Sequence, residues 1–193
     1  MKRTLLDRYD RTNDGHIIID VTATRAEDLY NNFDKSAPYI RRDLDQDLVD
    51  YLIGCAKEIR PQPFVLRFAF DHPLDESVQS RIRRSVNAYF VYLAESEQQR
   101  MMDMFRRAAI FLLIGLAILF LALSANRAPG VERSVLVNVV AEGLTVAAWV
   151  SLWESLAILL VEWPPYRRNT MLYKRLAGAE VNFRVDEAAK GEK

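Results

Sequence analysis

Apolar residues change their period several times along the chain, and each change predicts an element. The run HIIIDV, His16 to Val21, is β-branched and follows the turn signal NDG, which predicts a strand. Thr24 and Glu27 match a capping box, so a helix is expected to start there and carry Leu29, Tyr30 and Phe33 inward until Pro38 interrupts it. From about Asp43, the residues Leu44, Leu48, Leu52, Cys55 and Ile59 recur at spacings of three and four, the single stripe of an amphipathic helix. PFVLRFAF then predicts a second strand over Phe64 to Phe70, and AEVNFRV, Ala179 to Val185, offers a third. Two strands separated by a helix suit a parallel crossover. The fold class expected is an α/β cytoplasmic domain, a short mixed sheet plus helices, stitched together from both ends of the chain.

Between Asp75 and Arg107 the pattern is helical again, with Val78, Ile82, Val86, Tyr89 and Leu93 as a stripe able to cover the sheet. Neither proline nor glycine separates this segment from the next, AAIFLLIGLAILFLALSA, Ala108 to Ala125, which carries no charge. At about 1.5 Å per residue such a run is near the minimum that crosses about 30 Å of hydrocarbon. One continuous helix is therefore expected from about Asp75 to about Ala125, coupling the soluble domain rigidly to a first transmembrane span. NRAPGVERS breaks the helix and is short enough to link two antiparallel spans. The second span is less clean, because Asn138, Glu142, Glu154 and Glu162 interrupt it. Trp163, Pro164, Pro165 and Tyr166 mark an interface, and counting back about twenty residues from Trp163 reaches Gly143. The expected organisation is a domain with its connecting helix at 1–100, a transmembrane hairpin at 101–166 with spans at about 108–125 and 143–163, and a cytoplasmic tail at 167–193.

Charge decides the orientation. The chain holds 26 basic and 26 acidic residues, so net charge gives no pull toward nucleic acid, but almost none of them falls between Ala108 and Asn126. Arg100, Arg106 and Arg107 precede the first span, and Arg167, Arg168, Lys174 and Arg175 follow the second. The connecting loop has only Arg127 and Arg133, partly offset by Glu132. The positive-inside rule places both termini in the cytoplasm, with Arg100, Arg106, Arg107, Arg167 and Arg168 as candidates to face lipid headgroups. The N-terminus has basic residues but no apolar core or cleavage site, so no signal peptide is expected there.

On that count Glu154 lies near the middle of the second span, where an ionised side chain costs about 2.5 to 3.5 kcal/mol on translocon scales. The first span offers it only Ser124, at the far end. Ala147, Ser151 and Ser155 form a small-residue ridge beside it, which permits close helix approach. An oligomer is expected in which the second span faces its copies and the first, almost wholly apolar from Ala108 to Leu123, faces lipid. Glu154, Ser151 and Ser155 are then an intramembrane polar site, while Glu142, Trp149 and Trp153 belong to the interface region as depth anchors.

Little else in the sequence carries chemistry. Cys55 is the only cysteine, which excludes a disulfide within the chain and a two-cysteine metal site. His16 and His72 lie in separate segments without a ligand cluster, and Asp43, Asp45, Asp47 and Asp50 point in different directions on a helix with no glycine to bend a calcium loop. No phosphate-binding glycine loop, nucleophile elbow or zinc-protease motif occurs. Neither an enzyme, a metal nor a cofactor is expected.

The stretches NNFDKSAPYIRRDLDQDLVDYL and AEGLTVAAWVSLWESLAILLVEWPPYRR, followed by LYKRLAGAEVNFR, resemble a group of uncharacterised bacterial inner-membrane proteins. The similarity runs from about Ile17 to Arg184. It implies a bacterial source and a two-span membrane protein, and it brings no activity, ligand or catalytic residue. The function expected is an oligomeric inner-membrane protein with a cytoplasmic interaction or sensing domain, bound to lipid, to its own copies and to a protein partner. The alternative is a small cation or proton channel lined by the second span with Glu154.

Overall fold

A computed structural model describes residues 5–31, 43–59, 62–127 and 135–185 of the chain. The expected inward position of Phe33 and the interruption at Pro38 lie outside them. The described chain divides into two compact units, one made of residues 1–95 and 170–193 and the other of residues 96–169.

The first unit is built on three strands, β1 (Ile17–Ala23), β2 (Phe64–Phe70) and β3 (Glu180–Val185), in the spatial order of the chain. All three are parallel, with Ile19 opposite Leu66 and Leu66 opposite Val181. The mixed sheet expected from sequence is thus corrected to a wholly parallel one. Each strand is reached by a helical crossover rather than a hairpin, and a crossover returns the chain in the same direction.

Helix α1 (Gln46–Glu58) supplies the first crossover. Its N-cap is Asp45, whose Oδ1 accepts from the backbone N–H groups of Asp47 and Leu48 at 3.0 and 3.3 Å, so one of the four aspartates is used to start the helix. The second crossover starts with α2 (Glu76–Arg127) and ends with α4 (Trp163–Ala177). The whole 96–169 unit is thus inserted between two strands of one sheet.

One face of the sheet makes the core. Ile17, Ile19, Val21, Phe64, Leu66, Phe68, Phe70 and Val181 alternate inward and pack against Leu52 and Cys55 of α1, Ile82, Val86 and Phe90 of α2, and Leu172 and Leu176 of α4. The lone cysteine is buried there, as a small apolar residue. The other face carries the buried Ile18, Val65 and Ala69 together with Asp20, Thr22, Arg67, Asn182 and Arg184. Arg67 holds both carboxylate oxygens of Asp20 and reaches Asp10 at 3.0 Å. The hydrogen bonds to Asp20, above all, raise the guanidinium further above its ordinary value.

Two local expectations shift. After β1 the chain makes only a 3₁₀ turn, Ala26–Leu29, and the box falls one residue later than Thr24 and Glu27: the Asp28 carboxylate accepts from the Arg25 N–H at 2.9 Å. Leu29 and Tyr30 do turn inward, because Tyr30 bridges to Leu44 and ties the turn to the start of α1. Further on, the helix continues past Trp163, where the second span is expected from sequence to end at the interface. Helix α3 (Val135–Ala157) passes through a π-helical turn, Ile158–Glu162, into α4. Pro164 and Pro165 stand in the first turn of α4, where their missing N–H groups are tolerated, and the wider turn before them relieves the clash a proline makes with the carbonyl four residues back.

Candidate functional site

The second unit holds the residues that the sequence singled out. It contains two helical segments long and apolar enough, by length and composition, to cross a membrane; they lie within Glu76–Ser124 and Asn138–Ala177. They run antiparallel, and three contacts fix their register. Ser155 Oγ donates to the Ala108 carbonyl at 2.9 Å. One heptad on in α2, a Cβ added to Gly115 would lie 3.1 Å from the Leu152 side chain and 3.2 Å from the Ala148 carbonyl, one heptad back from Ser155. Nearer the first unit in sequence, Arg107 Nη2 meets Glu162 Oε2 at 3.5 Å.

The seam between the helices is therefore made of small residues at heptad spacing. Ala108, Gly115 and Ala122 are buried on α2, and Ala141, Ala148 and Ser155 on α3. Small side chains let two backbones approach closely, and the serine hydroxyl is satisfied by a carbonyl of its neighbour. Below the seam Met104, Ala108 and Ile158 form a second small core, edged by Met101, Leu159 and Tyr166. Large apolar side chains point the other way: Leu113, Phe120, Val146 and Val150 are 65, 70, 62 and 63% exposed.

The predicted polar site is split by this packing. Ala147, Ser151 and Ser155 do not form one outward ridge: Ala147 is exposed, Ser151 is half-buried, and Ser155 is buried. A spacing of four advances about 40° further round a helix than a full turn, so the row sweeps from the outer surface into the seam. Ser151 Oγ turns back to the carbonyl of Ala147 at 3.0 Å. Glu154 is exposed, and among the described residues it has no hydrogen-bond or ion-pair partner within one chain. Glu142, Trp149 and Trp153 are exposed as well.

The register sets the level of Glu154. Its neighbour Ser155 touches Ala108, the residue that follows Arg106 and Arg107, so Glu154 stands beside the first residues of the apolar run in α2 rather than beside its middle. Counting along one helix could not reveal this, because the apolar stretch continues from Leu156 of α3 through Leu160 and Val161 of the π-helical turn, past the level at which α2 becomes charged.

The basic candidates differ in their surroundings. Arg107 is paired with Glu162, and Arg167 lies over the Trp163 ring at 5.6 Å. Arg106 and Arg168 are exposed. Arg100 contacts Glu97 at 3.4 Å, and that carboxylate is a feature the sequence reading missed. Glu97 is 8% exposed, and its Oε2 has no hydrogen-bond partner among the described residues. Its place on the Met101, Met104 and Ala108 side of α2 was the available signal. Among the described residues no group of three or more His, Cys, Asp or Glu could hold a metal ion.

Comparison with known proteins returned no matching family model, curated protein or solved structure.

Proposed function

We propose that the protein is an oligomeric component of the bacterial inner membrane, with both termini cytoplasmic, whose α/β domain binds a protein or small ligand in a structural or signalling role. The observation that carries this is the one-sided packing of the hairpin. Its small residues face inward and its bulky apolar ones outward, the inverse of a water-soluble helix pair. Lipid tails are the solvent for which such a surface needs no cover.

The spans on this register are about 108–125 in α2 and, opposite them, about 138–155 in α3. Glu154 then lies at the cytoplasmic edge of the apolar band, near the level of Arg106 and Arg107, and its desolvation is milder than at mid-bilayer. That placement favours a structural assembly over a channel, since a selectivity ring deep in the membrane would need the carboxylate further in. The polar face of the sheet around Asp20, Arg67 and Arg184 is the surface available for a cytoplasmic partner.

Two measurements test the proposal. Alkaline carbonate extraction of membranes should leave the protein in the pellet, and the mass of the nanodisc-embedded particle should correspond to several copies. A protein released by carbonate, or a single copy per disc, would sink it. Cation flux in liposomes above background, lost in Glu154→Gln, would instead establish the channel.

A further inference from the structure

The charges at the cytoplasmic edge of the hairpin do not balance within one chain. Arg107 is taken by Glu162 at 3.5 Å. Arg106 and Glu154, on either side of the Ser155–Ala108 contact, are both exposed, and among the described residues neither has a partner. Because the helices run antiparallel, Arg106 lies two residues to one side of the Ser155–Ala108 contact and Glu154 one residue to the other, about 4.5 Å apart in height, a gap that an arginine side chain spans. At about 100° per residue, Arg106 lies about 200° round α2 from Ala108, on the back of that helix, whereas Glu154 lies about 100° round α3 from Ser155, on its flank. One copy cannot join them. Asp103, one turn before Arg106, is exposed and makes no ion pair with it among the described residues.

We propose that a second copy of this chain docks against the Glu154 flank of α3 and that its Arg106 is the partner of that carboxylate. The inference rests on the oligomeric membrane reading above and names the contact that makes it. Each copy offers one cation and one anion less than a helical turn apart in height and on different sides, so each contact uses a back of α2 and a flank of α3, and repetition pairs each Arg106 with a Glu154. In the headgroup region a guanidinium–carboxylate pair is charge-assisted and capable of two parallel hydrogen bonds, and it fixes height as well as identity.

The test uses the full chain in nanodiscs of phosphatidylethanolamine and phosphatidylglycerol. Glu154→Arg and Arg106→Glu are each expected to weaken subunit association about tenfold or more, and the doubly reversed chain to return close to the wild-type mass distribution. Single reversals that leave the wild-type oligomer unchanged, or a double reversal that fails to recover, overturn the pairing while leaving the oligomer standing. A wild-type protein that is monomeric overturns both. Arg106 held only by lipid phosphate would appear as association unaffected by Glu154→Arg but sensitive to removing phosphatidylglycerol, which also overturns the pairing. Where a reversal prevents insertion, chains carrying Arg106→Cys are mixed with chains carrying Glu154→Cys, both in a Cys55→Ser background, and treated with a short bismaleimide. A mixed crosslinked dimer supports the contact, and its absence overturns it.

Discussion

Gly115 is the position at which the hairpin can be opened most directly. A methyl group there meets the Leu152 Cγ and Cδ2 at 3.1 Å and the Ala148 carbonyl oxygen at 3.2 Å. The leucine can turn aside, but the carbonyl belongs to a hydrogen-bonded helix and can move only with α3. Gly115→Ala therefore forces the helices apart by a few tenths of an ångström, at an overpacking cost of about 1–3 kcal/mol. Alanine returns about 1 kcal/mol of helix propensity, so the net destabilisation is about 0–2 kcal/mol. Gly115→Leu gains a similar propensity but adds three further carbons to a closed seam, which puts it at about 3 kcal/mol or beyond and separates Ser155 from Ala108 as well. The assay is the distance between spin labels at Leu113 and Val150, both exposed and level on the two helices, in a Cys55→Ser background. Wild type should give one narrow distance, alanine a slight lengthening, and leucine a broad distribution at longer values. A leucine variant with the wild-type distance would refute the small-residue seam.

Four further outcomes follow from the same packing. Removing the chain from Glu180 onward deletes Val181 and the Phe183 ring that stacks on Phe68 and Phe70 at 6.1 and 6.4 Å, each worth about 1.5–3 kcal/mol of burial; a clear fall in the melting midpoint of the solubilised protein is expected, and an unchanged midpoint would count against β3 as a structural strand. Glu97→Met should raise stability by about 1 kcal/mol, since it replaces a buried carboxyl whose Oε2 has no partner by an apolar side chain of similar length, and a destabilised variant in denaturant titration would show that the contact with Arg100 outweighs that burial. Burial, as the first cause, lifts the Tyr9, Tyr51 and Tyr89 phenols above their ordinary value of 10.0, so in the folded state they keep protons that the unfolded chain has released. Their contribution is therefore complete below about pH 10 and lost as pH rises through the folded values, and tyrosinate absorbance should show part of the tyrosine titrating only as the first unit unfolds. Ser155→Ala removes one interhelical hydrogen bond and should cost about 0.6 kcal/mol by the spin-label equilibrium, far less than Gly115→Leu.

Strongly periodic segments were legible from sequence. The stripe from Leu44 to Ile59, the β-branched run at Ile17 and the FVLRFAF strand each carry a period that only one element satisfies, and the observed α1, β1 and β2 follow them. The third strand was also readable, because AEVNFRV alternates, but its parallel pairing required knowing that a helix and not a turn leads into it. The helix expected from Thr24 is only a 3₁₀ turn among the described residues, and its box sits one residue later, since Thr24 and Arg25 are followed at the same distance by Glu27 and Asp28, two carboxylates able to cap. The hairpin seam was hidden for a different reason. In a run without a charge, Ala108, Gly115 and Ala122 do not break the apolar stretch, and only their heptad match with Ala141, Ala148 and Ser155 distinguishes the packed face from the exposed one. The level of Glu154 against the apolar run of α2 follows from that pairing, and no count along a single helix contains it.

The insertion of both apolar helices between β2 and β3 has a consequence in time. A growing chain exposes β1, α1 and β2 first, and their sheet lacks the strand that Phe68 and Phe70 stack against. That strand is synthesised only after the two long apolar helices, so the soluble core closes last. Until then the half-built sheet presents an unpaired β2 edge, the kind of surface that chaperones and proteases engage. A copy whose hairpin stalls, slips register or fails to return its C-terminal helix leaves that edge open. Completion of the sheet thus requires the chain to return to β2 after everything between its second and third strands has been made.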